Sequence, residues 1–355
     1  MRKLRIKYID GFNNVDKNTS NTLYDILRKT YDIEIVEENP DVVVSGDYLS
    51  SHLKYDCFKI FFGTENMVLN HKYADISLGS NQIHGYPNTK HCSCIFHFSC
   101  FNSMINKKSY DEFKELKNSP KTKFCAFMYS NQRAKARKVF CIKLMDYKKV
   151  DCLGSVLNNT KLDKTEARYV SDWDDKAMNI YKDYKFVIAF ENSSSLGYLS
   201  ERILLSLSAG SIPIYWGAPD VKDYINPECF INVNDFDSFE DCIEYVKKVD
   251  NDDELYQKYI NAKPILPNSK LYQMSNDEIG KFLKSRLDIL LENPNIRVGK
   301  IGILGRIRYK LWFTWSMRLR RERQRWLYNV KMPIWEKIKW VRLYNVKKPI
   351  WEKIK

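Results

Sequence analysis

The sequence has no apolar run that approaches the roughly 18 residues of a membrane-spanning helix, so no such helix is expected. Its first ten residues begin with charge but lack the apolar core of a signal peptide, and they predict a strand. The nine cysteines are odd in number and form no small-domain disulfide framework, which favours free thiols in a reducing, cytosolic setting. With 44% hydrophobic residues, the 355-residue chain is not disordered as a whole and is long enough for two domains.

The usual nucleotide and metal signatures are missing too. A Walker loop and a GxGxxG loop are absent, which disfavours a simple nucleoside triphosphatase or a dinucleotide-dependent enzyme. The aspartates of residues 172–175 have the letters of a DxD pair, but they precede a predicted helix and are interpreted as its solvated start. In the His- and Cys-rich segment 91–100, Cys92 and Cys94 are too close for a usual zinc pair, and strand alternation explains the pattern. No metal ligand is therefore assigned.

Charge is distributed unevenly along the chain. The formal net charge is +14, and residues 296–355 hold 18 Lys/Arg against 3 Asp/Glu, a local excess of +15. Residues 1–295 therefore have a net charge of −1, so the basic charge of the whole chain does not indicate that they bind nucleic acid. The same segment contains six of the eight tryptophans and a repeat, in which residues 327–339 recur 16 residues later as 343–355 with one difference.

This segment is predicted to be a basic amphipathic helical tail. Lys and Arg beside Trp and Leu suit an anionic membrane surface, and each repeat has a proline that fits the first turn of a helix. Two other interpretations stay open: a solvated basic tail, and self-association of apolar helix faces into a homo-oligomer. Nucleic-acid binding ranks below these because nothing in the segment supplies a specific site.

Short apolar runs alternate with helical spacing along the rest of the chain, in two series. A polar, proline-containing linker at 118–123 separates the two series. Continuous apolar strands that alternate with helices are typical of an α/β fold, in which parallel sheets are covered on both faces. The predicted strands include 4–9, 33–36, 41–46, 55–62 and 123–128, and the first predicted helix is 22–31.

The clearest unit is a βαβ motif over residues 184–217. A buried strand is followed by a polar loop, a helix capped by Ser200, a helix-ending Gly210, and a strand whose Pro213 is unusual in a central position. A polar loop that leaves a buried strand and enters a helix N-terminus is suited to bind phosphate, through backbone N–H groups and the helix dipole.

Two charged residues open that helix. Arg202 is unfavourable in a first turn, and a bound anion would offset this, because arginine grips phosphate oxygens bidentately. Glu201 beside it can accept hydrogen bonds from ribose hydroxyls. An ordinary helix cap with a solvated Glu–Arg pair is the alternative that these residues leave open.

Longer motifs resemble those of glycosyltransferase family 10, the α-1,3/4-fucosyltransferases that use GDP-fucose. The resemblance covers about residues 4–290 and is strongest to the bacterial Lewis-antigen enzymes. The donor-site motifs are YKFVIAFEN at 184–192, GYLSERI at 197–203, IPIYWGAP at 212–219 and INVNDF at 231–236. Two shorter matches lie upstream, FGTEN at 62–66 and ARKVF at 136–140.

The resemblance implies a GT-B architecture, with two Rossmann-like domains that face each other across a cleft. We expect an acceptor-side domain at 1–118, a GDP-fucose-binding domain at 119–295 and the basic tail at 296–355.

The resemblance also implies roles for individual residues. Transfer converts a β-linked donor into an α-linked product, so a carboxylate must take the proton of the attacking hydroxyl, and Glu65 matches the family's proposed base. Cations must stabilise the leaving GDP, and no cofactor or essential divalent metal is expected. The family usually has Lys where this chain has Arg202, which changes a point charge into a planar fork. The matched donor-binding residues are Arg137, Asn192, Tyr198, Glu201 and Arg202.

The expected activity is α-1,3-fucosyl transfer from GDP-β-L-fucose to O3 of GlcNAc, in a surface glycan of N-acetyllactosamine or Lewis type. The expected location is the cytoplasm, peripherally bound to the inner face of the cytoplasmic membrane. Two alternatives are kept. One is another nucleotide-sugar GT-B glycosyltransferase of lipopolysaccharide or capsule synthesis. The other is a non-catalytic membrane-docking module that binds glycans.

Overall fold

The computed structural model describes residues 1–10, 22–46, 50–63, 65–66, 73–80, 87–92, 120–162, 173–298, 300–311 and 314. They form two compact units. The first comprises the described residues within Met1–His97 and Tyr272–Arg325, and the second comprises those within Phe98–Leu271. Each unit is built on one parallel β-sheet with helices, which confirms the expectation of two Rossmann-like domains.

The described strands are β1 (Lys3–Ile9), β2 (Asp32–Ile35), β3 (Val42–Ser45), β4 (Phe58–Gly63), β5 (Ile76–Gly79), β6 (Thr89–His91), β7 (Lys123–Phe127), β8 (Val150–Cys152), β9 (Tyr184–Phe190), β10 (Ile212–Trp216) and β11 (Ile231–Asn232). The described α-helices are α1 (Thr22–Leu27), α2 (Lys135–Met145), α3 (Trp173–Tyr181), α4 (Glu201–Ser208), α5 (Phe239–Asn251), α6 (Asp253–Asn261) and α7 (Asn276–Glu292). Residues 303–311 are helical as well.

The first sheet has the strand order β2-β1-β3-β4-β5-β6, and all neighbours run parallel. β3 and β4 are buried along their whole length, as their continuous apolar sequences predict for strands covered on both faces. The four strands predicted in this part of the chain are confirmed, with ends that differ by up to three residues. The short strands β5 and β6 are not predicted from the sequence pattern.

Helix α7 returns to the first unit. It packs closely against α1. If Gly280 of α7 carried a Cβ atom, this atom would lie only 3.3 Å from the side chain of Ile26 in α1. The Tyr31 hydroxyl donates to the carboxylate of Asp288 in α7 at 2.7 Å. Residues 272–295 therefore lie with the first unit and not, as predicted, with the second.

The described start of the predicted tail also packs on the first unit. Arg297 forms an ion pair with Asp56 at 3.1 Å, and the Ile301 N–H donates to the Leu53 carbonyl oxygen at 3.0 Å. Tyr309 is buried, with 2% of its surface exposed. Residues 315–355, which include the repeat, lie outside the described residues. Within the described part of the chain, every helix is too short or too polar to cross a bilayer.

The second sheet has the strand order β11-β10-β9-β7-β8 and is also parallel throughout. One cluster of its core joins buried side chains of the strands to those of α2, α5 and α6. The chain order reverses between β7 and β9, because β8 extends the sheet on one side and β10 extends it on the other. Ligands of open α/β sheets bind at such a switch point, outside the carboxyl ends of the strands.

The predicted βαβ unit is formed by β9, α4 and β10. Two residues after α4, Gly210 has a left-handed φ of 67° and donates its N–H to the Leu207 carbonyl oxygen, which terminates the helix as the sequence predicts. Pro213 is tolerated because β11 pairs only with Ile214 and Tyr215. At the proline, β10 therefore has a neighbouring strand on one side alone.

Candidate functional site

The two strands at the switch point separate at their carboxyl ends, and Tyr129 lies between them. Ladder pairing between β7 and β9 ends at Ala126 and Val187. Beyond it, the Tyr129 hydroxyl donates to the Ile188 carbonyl oxygen at 2.6 Å and accepts the Phe190 N–H at 2.7 Å. The side chain therefore bonds to β9 where β7 no longer does.

Arg137, in the first turn of α2, is buried beside this tyrosine, with 1% of its surface exposed. Its guanidinium lies 4.1 Å from the centre of the Tyr129 ring, and one Nη atom donates to the side-chain oxygen of Asn192. Among the described residues, no carboxylate forms an ion pair with Arg137, and its Nε has no hydrogen-bond acceptor. Burial, and to a smaller extent the nearby Arg202, lower the pKa of Arg137. A buried cation with an unused donor is suited to bind an anion.

Arg202, in the first turn of α4, is held by two carboxylates. Its Nη1 donates to Oε2 of Glu191 at 2.9 Å, and its Nη2 lies 3.8 Å from Oε1 of Glu201. Burial opposes the charge of the guanidinium, but Glu201 and Glu191, together with Tyr129 and Tyr198, raise the pKa of Arg202. The guanidinium lies 5.8 Å from the centre of the Tyr129 ring, so both arginines face one aromatic side chain.

Glu191 directly follows β9 and ties the loop to the helix. Its side chain is completely buried, and its Oε1 accepts the Ser200 N–H at 2.8 Å. Burial raises the pKa of Glu191, while Arg202 and the hydrogen bonds of Ser200 oppose that rise. A side-chain carbon at Gly217 would collide with Cγ of Glu191, so glycine at that position leaves the space that the carboxylate occupies.

Ser200 occupies the N-cap position of α4, as predicted, but its side chain does not cap the helix. Its hydroxyl oxygen accepts a hydrogen bond from Arg202 instead. The predicted side-chain cap is therefore wrong, because the arginine takes the oxygen that would otherwise accept a helix N–H.

Asn192 and Tyr198 lie in the loop between β9 and α4. Asn192 accepts the hydrogen bond from Arg137, and Tyr198 is buried with 2% of its surface exposed. Gly197 before it has a left-handed φ of 72°, and its N–H donates to Asp220 at 2.9 Å, which fixes the turn of the loop. All five residues predicted to bind the donor therefore lie in one region of the second unit.

Glu65 belongs to the first unit. It lies two residues beyond the end of β4 and is partly exposed, and its neighbour Asn66 is buried with 8% of its surface exposed. The position is at the carboxyl end of a parallel strand, which is where the functional residues of α/β sheets collect. Its role as a base stays a prediction.

The structure describes most of one of the two motifs that resemble metal sites, residues 172–175, and only the start of the other, residues 91–100. α3 begins at Trp173, which confirms the predicted helix start for residues 173–175, while residue 172 lies outside the described residues. Of the His- and Cys-rich segment, His91 ends β6 and Cys92 is buried, and the rest lies outside the described residues. Within the described ranges, no group of three His, Cys, Asp or Glu side chains is placed to hold a metal ion.

Sequence reasoning does not single out Tyr129, and it treats Glu191 only as part of a motif. Tyr129 lies two residues after the end of β7, and Glu191 lies one residue after the end of β9; both strands are apolar. A polar residue directly after a buried strand is a signal that the sequence contains. That the two strands are neighbours is known only from the sheet order.

The fold and the site together define a class. The chain has two Rossmann-like units, and the second has a buried arginine and a partly buried one at its switch point, where proteins of this kind bind phosphorylated nucleotides. Residues 118–283 match the family described as glycosyltransferase family 10 (fucosyltransferase), C-terminal part, and residues 6–94 match the alpha-(1,3)-fucosyltransferase FucT N-terminal domain. The chain belongs to glycosyltransferase family 10, the fucosyltransferases, which confirms the resemblance seen in its motifs.

Individual relatives agree with this assignment. A putative fucosyltransferase, R654, of Acanthamoeba polyphaga mimivirus is 30% identical over 266 residues, which is 74% of this chain and 40% of that protein. The alpha-(1,3)-fucosyltransferase FucT of Helicobacter pylori is 29% identical over 251 residues, 70% of this chain and 47% of that protein. The matched region thus covers less than half the length of either relative. A crystal structure of alpha1,3-fucosyltransferase with GDP-fucose has a TM-score of 0.65 at 23% identity, over 81% of this chain and 91% of that one, which confirms the GT-B fold.

Proposed function

We propose that the chain is an inverting α-1,3-fucosyltransferase that moves L-fucose from GDP-β-L-fucose to O3 of GlcNAc in an N-acetyllactosamine or Lewis-type surface glycan. The observation that carries the proposal is the pair of arginines at the switch point of the second sheet, of which Arg137 is buried and Arg202 is partly buried, with 15% of its side chain exposed. One of them, Arg137, has no carboxylate partner among the described residues. Membership of family 10, and a fold shared with an enzyme solved with GDP-fucose, support this donor.

The diphosphate of the donor lies against both arginines in this proposal. They are not equivalent, because Arg202 is already balanced by Glu191, whereas Arg137 is bonded to a neutral amide. Arg137 therefore supplies most of the unbalanced positive charge. Negative charge grows on the diphosphate as the bond to fucose breaks, and cations fixed in advance in a buried site stabilise that charge.

The remaining predicted residues take the roles that their positions suit. Glu201, at the start of α4, accepts hydrogen bonds from the ribose hydroxyls, and Asn192 and Tyr198 line the donor. Glu65 is the general base that removes the proton of the acceptor hydroxyl as this oxygen attacks the anomeric carbon. The attack displaces GDP with inversion. No divalent metal has a role, because the arginines supply the positive charge.

The test is transfer from GDP-fucose to GlcNAc, N-acetyllactosamine and Lewis-type acceptors, with the product linkage determined by NMR. An α-1,3 linkage to GlcNAc is the expected result. Preference for another nucleotide sugar would favour the alternative of a different GT-B glycosyltransferase of lipopolysaccharide or capsule synthesis. Binding of GDP with neither transfer nor hydrolysis would leave the non-catalytic, glycan-binding alternative.

We also propose that residues from about 300 onward bind the anionic inner face of the cytoplasmic membrane. The +15 excess of residues 296–355 supports this, and so does the helix at 303–311, whose buried Tyr309 fixes it to the first unit. Apolar side chains beside basic ones suit a lipid surface. A homo-oligomer formed through the same apolar face is the alternative. The exposed apolar residues of this helix are Ile303, Leu304, Ile307 and Leu311, and its basic residues are Arg306, Arg308 and Lys310.

A further inference from the structure

We propose that Tyr129 is a positioning residue for the donor: its ring holds the guanidinium groups of Arg137 and Arg202 in place for the diphosphate, and its hydroxyl fixes the ring. The inference rests on the proposed function, since it names what orients the two arginines of that donor site.

The ring lies where it can stabilise both cations. The two guanidinium centres are 4.1 Å (Arg137) and 5.8 Å (Arg202) from the ring centre. Both distances are within the roughly 6 Å over which an aromatic face attracts a cation, and the attraction is stronger in a desolvated site. Arg202 also has Glu191 as a counter-ion. Among the described residues, Arg137 is held by the ring and by the amide oxygen of Asn192, so its orientation depends more on Tyr129.

The ring cannot turn without breaking its hydroxyl contacts. The hydroxyl bonds to a carbonyl and an N–H of β9, at Ile188 and Phe190. Burial raises the pKa of Tyr129 to about 12, against the opposing effect of the two arginines, so the phenol stays protonated and remains a donor near neutral pH. Gly154 packs directly on the Tyr129 backbone, where a side-chain carbon would collide with it. The backbone and the hydroxyl together leave the ring one orientation.

The two parts of this side chain therefore have separable effects. The hydroxyl contributes to the stability of the switch point, and the ring contributes to donor binding through the arginines. If the Tyr129 side chain only filled the core, the effects on stability and on donor affinity could not be separated, because loss of packing would change both together.

The experiment compares Tyr129→Phe and Tyr129→Leu in the full chain. Tyr129→Phe keeps the ring, so we expect a lower thermal midpoint and a two- to threefold weaker affinity for GDP, roughly the effect of a looser ring. Tyr129→Leu removes the ring, so we expect about tenfold weaker GDP affinity by calorimetry and a raised KM for GDP-fucose.

The control is Tyr147→Phe, which follows α2 and lies outside the donor-site motifs. Its hydroxyl donates to Asp250 at 2.9 Å, its side chain is partly buried, and it contacts neither arginine. This variant should lower the thermal midpoint and leave GDP affinity and KM as they are. If Tyr129→Leu bound GDP as Tyr129→Phe does, the ring would have no positioning role.

A second measurement covers the case in which Tyr129→Leu does not fold. Phenylalanine at position 129 is replaced by phenylalanines with one, two and three ring fluorines, which weaken the negative face of the ring with little change of shape. GDP affinity should fall with each fluorine. An affinity that stays constant along the series would overturn the proposal, whereas wild-type protein that does not bind GDP would overturn the proposed function itself.

Discussion

Removal of Arg202 should lower stability as well as donor affinity, because its guanidinium is the counter-ion of a fully buried carboxylate. In Arg202→Ala, the Glu191 side chain, none of which is exposed, keeps the Ser200 N–H as its hydrogen-bond donor. Breaking a buried ion pair from one side costs about 3–5 kcal/mol. For a domain of this size, that corresponds to a thermal midpoint lower by roughly 10 °C.

The loss should depend on pH. Burial already raises the pKa of Glu191 above its usual 4.5, and Arg202 is the largest influence that opposes the rise, so Arg202→Ala raises this pKa further. An acid with a raised folded-state pKa contributes stability that is fully present below its unfolded pKa and is lost as pH rises through the folded pKa. The difference between Arg202→Ala and the wild type should therefore be small at about pH 5 and large at about pH 8.

Thermal unfolding of both proteins at the two pH values measures this difference. Arg202→Lys keeps the charge and should lose less than Arg202→Ala. The control is Lys270→Ala in the same unit, which breaks an exposed ion pair. Nζ of Lys270 lies 2.7 Å from Oδ2 of Asp223, and the two side chains are 50% and 47% exposed. Such pairs contribute about 0–1 kcal/mol. A loss in Arg202→Ala as small as that of the control, or equal at both pH values, would refute the role of Arg202 as counter-ion.

Three further outcomes are expected from the proposed function. Glu65→Gln should keep its GDP affinity in calorimetry and lose about 10²–10⁴ in kcat, and a kcat near wild type would assign Glu65 a structural role. Turnover should survive EDTA, and a complete loss that one specific ion restores would reveal a metal site that the sequence did not predict. A chain that ends at residue 314 should keep kcat on a soluble acceptor and lose sedimentation with anionic vesicles, because the deleted residues hold a net +10. Undiminished sedimentation would place the membrane contact before residue 315. A chain that ends near residue 299 should also be less stable, because it lacks the buried Tyr309.

Local structure is predictable from this sequence where the pattern is local. The apolar run of β9, the left-handed Gly210 and the first turn of α4 are each determined by neighbouring residues, and the structure confirms them. The return of α7 to the first unit is different. It depends on packing between Ile26 and Gly280, which are far apart in the chain, and helical periodicity gives only the apolar face, not its partner.

The same limit applies to the site. Family motifs give Arg137, Asn192 and Arg202 as separate positions along the chain. Their common surroundings come from the order of the strands, because β7 and β9 are neighbours although β8 lies between them in the chain. Tyr129 follows β7 and belongs to no motif, so its position against both arginines follows only from the structure.

The arginine at position 202, where the resemblance to the family implies a lysine, is explained by the bonds that its fork makes. Its Nη1 bonds both to the Glu191 carboxylate and to the Ser200 hydroxyl, while its Nη2 faces Glu201. A lysine ammonium is one point charge and cannot place two separate nitrogens in this way. The fork therefore binds the loop to the helix and uses the serine oxygen that would otherwise cap α4. Because so much of the Arg202 charge is balanced inside the protein, Arg137 should contribute more to diphosphate affinity than Arg202 does, although both residues lie in the first turn of a helix.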